Sequence, residues 1–195
     1  MSSTQRCGWC CGHADYEDYH DREWGVPVHD DQKWFEFLTL ETFQAGLSWL
    51  TILRKRENFR KAFDGFDVEC VARYNADKIK ELLANKGIVR NRLKIQAAVT
   101  NAQAFLGVQK KYGSFDSYIW AFVNHKPIQN RFKNLDEIPT KTDLSDTISA
   151  SLKNHGFKFV GSTIVYAHMQ ATGMVNDHLT SCYRYDEVKA LGQMA

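Results

Sequence analysis

Leu152-Lys-Asn-His-Gly156-Phe-Lys-Phe-Val-Gly161-Ser-Thr163 reads as helix, six-residue turn, helix. Two glycines bracket a short hairpin, and glycine lets a backbone approach a ligand closely. Gly161 opens a helix whose first N–H groups lack an intrahelical acceptor and point outward, so a phosphate fits there. Lys158, between the glycines, is where a phosphate contact would sit. The glycine spacing has the outline of a P-loop, but Ser162 stands where that motif needs lysine.

Outward from this hairpin the chain reads as helices almost throughout, with no run of period-two alternation long enough for a sheet core. A helix from about Asp143 to Asn154 enters the turn; one from near Gly161 to the C′ glycine Gly173 leaves it. Upstream, Asp30 or Asp31 caps a helix on which Trp34, Phe37, Leu38, Glu41 and Ala45 share one face. Gly46 ends that helix, and Ser48 caps the next, which carries Trp49, Ile52 and Leu53 inward. Asp67 and Asn75 cap two short helices, and Ser114 starts an aromatic helix over Phe115–Val123. Ile95, Ala98, Val99, Ala102, Phe105 and Leu106 form the cleanest apolar stripe. The segment 125–141 reads as an extended loop, and 186–195 as a flexible tail. The fold class is all-α, a single domain over residues 1–195.

Composition narrows the function classes. Apolar residues make up 44% of the 195, enough for a sizeable core, and aromatics 13%, with five Trp. Such a surplus of rings suits an aromatic-lined pocket. The net charge is only +2, so a nucleic-acid partner has to be held by a local patch rather than by global charge. Arg90, Arg92, Lys94, Lys153 and Lys158, near the hairpins, supply candidates. No membrane-spanning stretch and no secretion signal are read. Five cysteines without a regular framework point to a reducing compartment, here taken as the cytoplasm, and to metal or free thiols. No coiled-coil seam is present, so a monomer is expected.

Three sets of residues carry chemistry. Glu41 shares its helix face with Trp34, Phe37 and Leu38; a carboxyl there either hydrogen-bonds a core group or lines a cavity. Trp9, Tyr16, Tyr19 and Trp24 crowd the N-terminal segment and Trp49 follows Glu41, so together they could build an electron-rich slot for a flat, cationic heterocycle. Cys7, His20, His178 and Cys182 offer two thiolates and two imidazoles, a set that suits tetrahedral zinc and would clip the chain ends together. A helical turn would put His178 and Cys182 on one face. Cys7-Gly-Trp-Cys10 is a competing Cys-x-x-Cys pair. His13, His29, His125, His155 and His168 read as solvated or satisfied histidines.

Five blocks, in order, resemble the bacterial 3-methyladenine DNA glycosylase I family: Arg6-Cys-Gly-Trp9, Tyr19-His-Asp-Arg-Glu-Trp-Gly-Val-Pro27, Leu40-Glu-Thr-Phe-Gln-Ala-Gly-Leu-Ser-Trp49, Gly156-Phe-Lys-Phe-Val-Gly161 and Val175-Asn-Asp-His178. The resemblance implies a two-lobed helix-hairpin-helix DNA glycosylase fold. It implies a structural zinc ion on Cys7, His20, His178 and Cys182, joining 1–30 to 175–185. It also implies base-binding residues Trp9, Tyr16, Tyr19, Glu41 and Trp49, with Glu41 as the catalytic candidate, and DNA contacts at Gly156, Lys158, Gly161 and Ser162. Gly87-Ile-Val-Arg90 resembles a second element of the wider superfamily. The implied reaction is hydrolysis of the N-glycosidic bond of 3-methyladenine in double-stranded DNA after base flipping. An abasic site would remain, uncut because no lysine nucleophile is apparent. Wider superfamily members carry an Asp near the position of Asp177; beside His178 it is expected to support the metal ligand. Two further classes are weighed: a zinc-stabilised, non-catalytic DNA-binding module and a zinc hydrolase acting on a small molecule.

Overall fold

The computed structural model describes residues 5–194. Met1–Thr4, part of the stretch read above for a secretion signal, and Ala195 lie outside the described residues. The helices run α1 (Ala14–Arg22), α2 (Asp31–Gln44), α3 (Trp49–Ala62), α4 (Val68–Ala72), α5 (Ala76–Ala84), α6 (Arg92–Tyr112), α7 (Phe115–Trp120), α8 (Asp143–Asn154), α9 (Ser162–Ala171) and α10 (Arg184–Met194). Two short strands, β1 (Ile128–Gln129) and β2 (Val175–Asn176), pair in parallel. Among the described residues no helix is long and apolar enough to cross a membrane.

Local chemistry sets the helix starts. The side chains of Asp30, Ser48, Asp67, Asn75 and Ser114 each accept the N–H three residues on, satisfying a donor that the helix itself cannot. Asn91 and the Thr142–Ser145 capping box do the same for α6 and α8. Asp31, the rival cap for α2, instead accepts the N–H groups of Phe115 and Asp116 at 2.9 Å and so fixes the start of α7 across space.

Helix α2 is buried from Trp34 to Phe43, on all sides rather than along one stripe, because α3, α6, α7 and α9 surround it. Its C-terminal end is fastened by Lys94 of α6, whose Nζ donates to the carbonyls of Phe43 at 2.9 Å and Ala45 at 2.5 Å. A cation on helix C-terminal carbonyls is favourable. Lys94 is therefore an internal strut, not a surface phosphate contact. At the other side of the core, Gly173 has φ +72° and leaves no room for a side chain: a Cβ would lie 2.5 Å from Pro27 N. This close approach lets Gly25 and Val28 donate to the carbonyls of Gln170 and Thr172, docking the N-terminal segment on the end of α9.

Three further expectations are corrected here. The C-terminal residues from 184 to 194 are helical, not a flexible tail, because Tyr185 and Val188 are buried. His178 and Cys182 lie on a turn between β2 and α10 rather than in a helix, with the Cys182 N–H on the Leu179 carbonyl at 2.8 Å. His168 is neither solvated nor satisfied. It is buried with no hydrogen-bond partner on either ring nitrogen, and burial pushes its pKa down to about 3, so it packs as a neutral ring beside Trp34.

Candidate active site and metal cluster

A cavity of about 480 Å³ opens between the N-terminal segment and α9. One wall is aromatic: Trp9 on a short 3₁₀ turn, Tyr16 and Tyr19 on α1, Trp24 just after it, and Trp49 at the start of α3. The rings brace one another edge to face, Trp9 against Tyr16 at 5.6 Å and against Trp24 at 5.0 Å, while Tyr19 meets Trp49 at 5.6 Å. The opposite wall is α9, through Ile164, Tyr166 and Gln170, and the rim includes Leu135 and Ile138.

Glu41 projects into this cavity from α2. Its side chain is buried and takes no hydrogen bond from any described residue, and burial alone raises its pKa to about 8. The Tyr16 hydroxyl accepts the Leu50 N–H at 2.9 Å, which leaves its own proton free to donate into the cavity. Burial first, and the nearby Glu41 carboxyl second, push the Tyr19 phenol well above its ordinary pKa, so it stays a neutral donor.

Cys7, His20, His178 and Cys182 come together in the interior, all buried, with one ligand atom from each within 4.8 Å of every other. The N···S approaches are 3.4 Å from His20 Nε2 to Cys182 Sγ and 3.7 Å from His178 Nδ1 to each of the two sulfurs. The outer nitrogens are also fixed: His20 Nδ1–H donates to Asp21 at 2.8 Å and His178 Nε2–H to the Trp24 carbonyl at 3.0 Å. Arg6 in turn holds Asp21 with three hydrogen bonds. This donor set, with both imidazoles oriented from behind, is what a tetrahedral metal site requires. Cys10 is not in the set, since its thiol donates to the Cys7 carbonyl at 3.0 Å.

The cluster and the cavity share residues of the same short segments. Trp9 lies just past Cys7, Tyr19 precedes His20, and Trp24 supplies the carbonyl that orients His178. Asp177 does not touch His178. It accepts from Asn130 at 2.6 Å, Tyr166 at 2.7 Å and Gln170 at 2.8 Å, so it steadies the α9 wall, and the support expected of it falls to Asp21.

The hairpin lies where α8 hands over to α9. Gly156 has φ +95°, Lys158 is exposed, and nothing stands within contact distance of a Cβ built on Gly156 or Gly161. The Ser162 hydroxyl is engaged by the Asp146 carboxylate. Arg90, Arg92 and Lys153 are exposed.

Sequence reasoning placed Trp24 in the aromatic slot but did not single out Tyr166, Gln170 or Asp21 as site residues. The spacing of Thr163, Tyr166, Ala167 and Gln170 along one side of α9 carried a signal, since all four line the cavity.

Comparison with known proteins agrees with this geometry. The family model described as methyladenine glycosylase matches residues 9–185. The chain is 48% identical over 179 residues to a DNA-3-methyladenine glycosylase of Haemophilus influenzae, covering 92% of this chain and 97% of that protein. It is also 48% identical to DNA-3-methyladenine glycosylase 1 of Escherichia coli, covering 93% and 97%. A solved structure addressing 3-methyladenine recognition by 3-methyladenine DNA glycosylase I of Staphylococcus aureus superposes with TM-score 0.89 at 37% identity, covering 92% of this chain and 96% of that one.

Proposed function

The chain belongs to the methyladenine glycosylase family, and we propose that it is a base-excision repair enzyme that releases 3-methyladenine from alkylated double-stranded DNA. The observation that carries this reading is Glu41, a buried carboxyl without a partner among the described residues, in an aromatic cavity with ample room for a nucleobase. A purely DNA-binding module has no use for such a group.

Chemistry and geometry agree step by step. A base must leave the helical stack to reach a cavity of this kind, so the enzyme flips the nucleotide. Adenine methylated at N3 in DNA carries a positive charge and is already a good leaving group, so no protonation of the base is needed. The ring stacks among Trp9, Tyr19 and Trp49, whose π faces favour a cation. The Glu41 carboxyl bonds the adenine edge, and Tyr16 offers its spare proton to an acceptor on the ring. Unmethylated adenine lacks the charge and gains less from both. As the C1′–N9 bond breaks, both electrons go to the base and cancel its charge. The sugar cation then takes hydroxide from water, and the remaining proton leaves to solvent. None of the described residues lining the cavity is a lysine, which fits a monofunctional enzyme that leaves an uncut abasic site.

The α8–hairpin–α9 unit reads as the helix-hairpin-helix element that grips the DNA backbone, with Gly156, Lys158 and Gly161 at its turn and the first N–H groups of α9 free for a phosphate. Engaged by Asp146, Ser162 would contribute its N–H rather than its hydroxyl. The four-residue cluster fits zinc: bonds of about 2.3 Å to sulfur and about 2.0 Å to nitrogen in a tetrahedron give N···S edges of roughly 3.6 Å. Four protein ligands leave no position for water, so the ion would be structural and would tie the aromatic N-terminal segment and α1 to the turn between β2 and α10. The reading takes the enzyme as a cytoplasmic monomer, in keeping with five unpaired thiols.

Methylated duplex DNA incubated with the protein should yield free 3-methyladenine by mass spectrometry. Folded, DNA-binding protein that releases no base would sink the enzyme reading in favour of the binding module. For the metal, Cys7→Ser should purify with less than one zinc per chain and melt well below the parent. Full zinc content with unchanged melting would remove Cys7 from the ligand set.

A further inference from the structure

Phe66 and Phe159 both adopt a left-handed backbone, with φ of 61° and 55°. Bulky side chains rarely do so, because the Cβ crowds the backbone. For Phe66 the compensation is plain: its ring is fully buried in the main core. Phe159 has far less: the residue is 40% exposed and its ring stacks on no other described ring.

The conformation is imposed from both sides. Asn101 of α6, buried, grips the residue before: its Nδ2 donates to the Lys158 carbonyl at 3.1 Å, and the Lys158 N–H donates back to its Oδ1 at 2.7 Å. Ser149 of α8, also buried, grips the residue after by donating to the Val160 carbonyl at 2.5 Å. A glycine at 159 would take the same turn without crowding and without exposing a ring. Strain that the surroundings enforce, on a ring left two-fifths in solvent, points to an external contact.

We infer that the Phe159 ring is a DNA contact, lying on the deoxyribose of the nucleotide whose phosphate meets the hairpin; this rests on the reading of α8–hairpin–α9 as the DNA grip. Three features select that partner. Phe159 follows exposed Lys158 and precedes Gly161, the N-cap of α9, by two residues, so a phosphate bound at that helix start would bring its own sugar near the ring. The sugar C–H face is the apolar part of the nucleic-acid backbone. It is also the same at every nucleotide, as an enzyme searching for rare lesions requires. Such a contact adds affinity without adding charge, which separates it from the lysine beside it.

The test is equilibrium binding to a short duplex carrying a tetrahydrofuran abasic analogue, titrated with salt, together with thermal melting. Phe159→Gly should weaken binding roughly tenfold at every salt concentration with the salt slope unchanged, because no phosphate charge is lost. The same variant should melt a few degrees higher, because the strain is gone. Phe159→Tyr should bind like the parent. Lys158→Ala, by contrast, should lower the slope by about one. Unchanged affinity in Phe159→Gly, or weaker binding that comes with a lower melting temperature, would overturn the inference and make the ring a scaffold. Parent protein that fails to bind the duplex at all would overturn the DNA reading itself, and the ring's role with it.

Discussion

Glu36 and Glu41 sit little more than a turn apart on α2, both buried, yet their surroundings are opposite. Glu36 accepts from Arg56 at 2.6 Å and from Arg60 at 2.8 and 3.1 Å, and Lys33 approaches its other oxygen at 3.5 Å. Burial pushes its pKa up, but the guanidinium of Arg56, then Lys33 and Arg60, bring it below the ordinary carboxylate value. Glu41 has no such neighbours, and burial alone sets its pKa at about 8. Solvent exposure, 7% and 4%, barely separates the two; the partner set does. A buried acid with every oxygen occupied stabilises its surroundings only against the loss of its partners. A buried acid with none destabilises the fold at neutral pH, and a protein that keeps one keeps it for a ligand.

The largest effect that could break this contrast is in stability against pH. The folded pKa of Glu41, about 8, lies above its ordinary 4.5, so the folded state binds the extra proton. Stability from this group is full below pH 4.5, falls as pH rises through the window, and is lost above 8. Glu41→Gln removes the titration, so the variant should match the parent near pH 4 and exceed it at pH 9 by up to about 5 kcal/mol. Chemical denaturation at the two pH values measures this. An advantage that does not grow with pH would mean Glu41 has a partner after all.

Glu36→Gln should act in the other direction. It leaves Arg56 with the Glu23 carboxylate, at 2.8 Å, as its one remaining charged partner among the described residues, at a cost of about 3 kcal/mol, or about 10 °C in melting temperature. The folded fraction should release base at close to the parental rate, since Glu36 does not line the cavity. A large loss of turnover per folded molecule would erase the division of labour between the two ends of α2.

The sequence made one side of this contrast legible and hid the other. Helix starts could be read because Asp30, Ser48, Asp67, Asn75 and Ser114 act within three residues of themselves. The aromatic crowd and Glu41 could be read as a group because they occupy two short stretches. What could not be read depends on contacts across the fold. Lys94 resembles any basic residue at a helix start until α2 presents two carbonyls to it. Asp177 lies next to His178 in sequence but faces the other way, onto Tyr166 and Gln170. The residues from 184 onward look like a loose end until Val188 is seen buried.

Turnover offers the finest division between recognition and chemistry at Glu41. Glu41→Gln should lower kcat/KM for base release about 100-fold, equivalent to about 2.7 kcal/mol, the size of a hydrogen bond to a charged partner. The pH profile then says which form of the acid works. A cationic base calls for a carboxylate, and kcat/KM reports the free enzyme, where the group is largely protonated below pH 8. The expected profile rises about tenfold per pH unit and levels off near pH 8, while Glu41→Gln is flat. A parental profile that instead falls above pH 8 would show the neutral acid donating its proton to the ring, and would turn Glu41 from a countercharge into a hydrogen-bond donor.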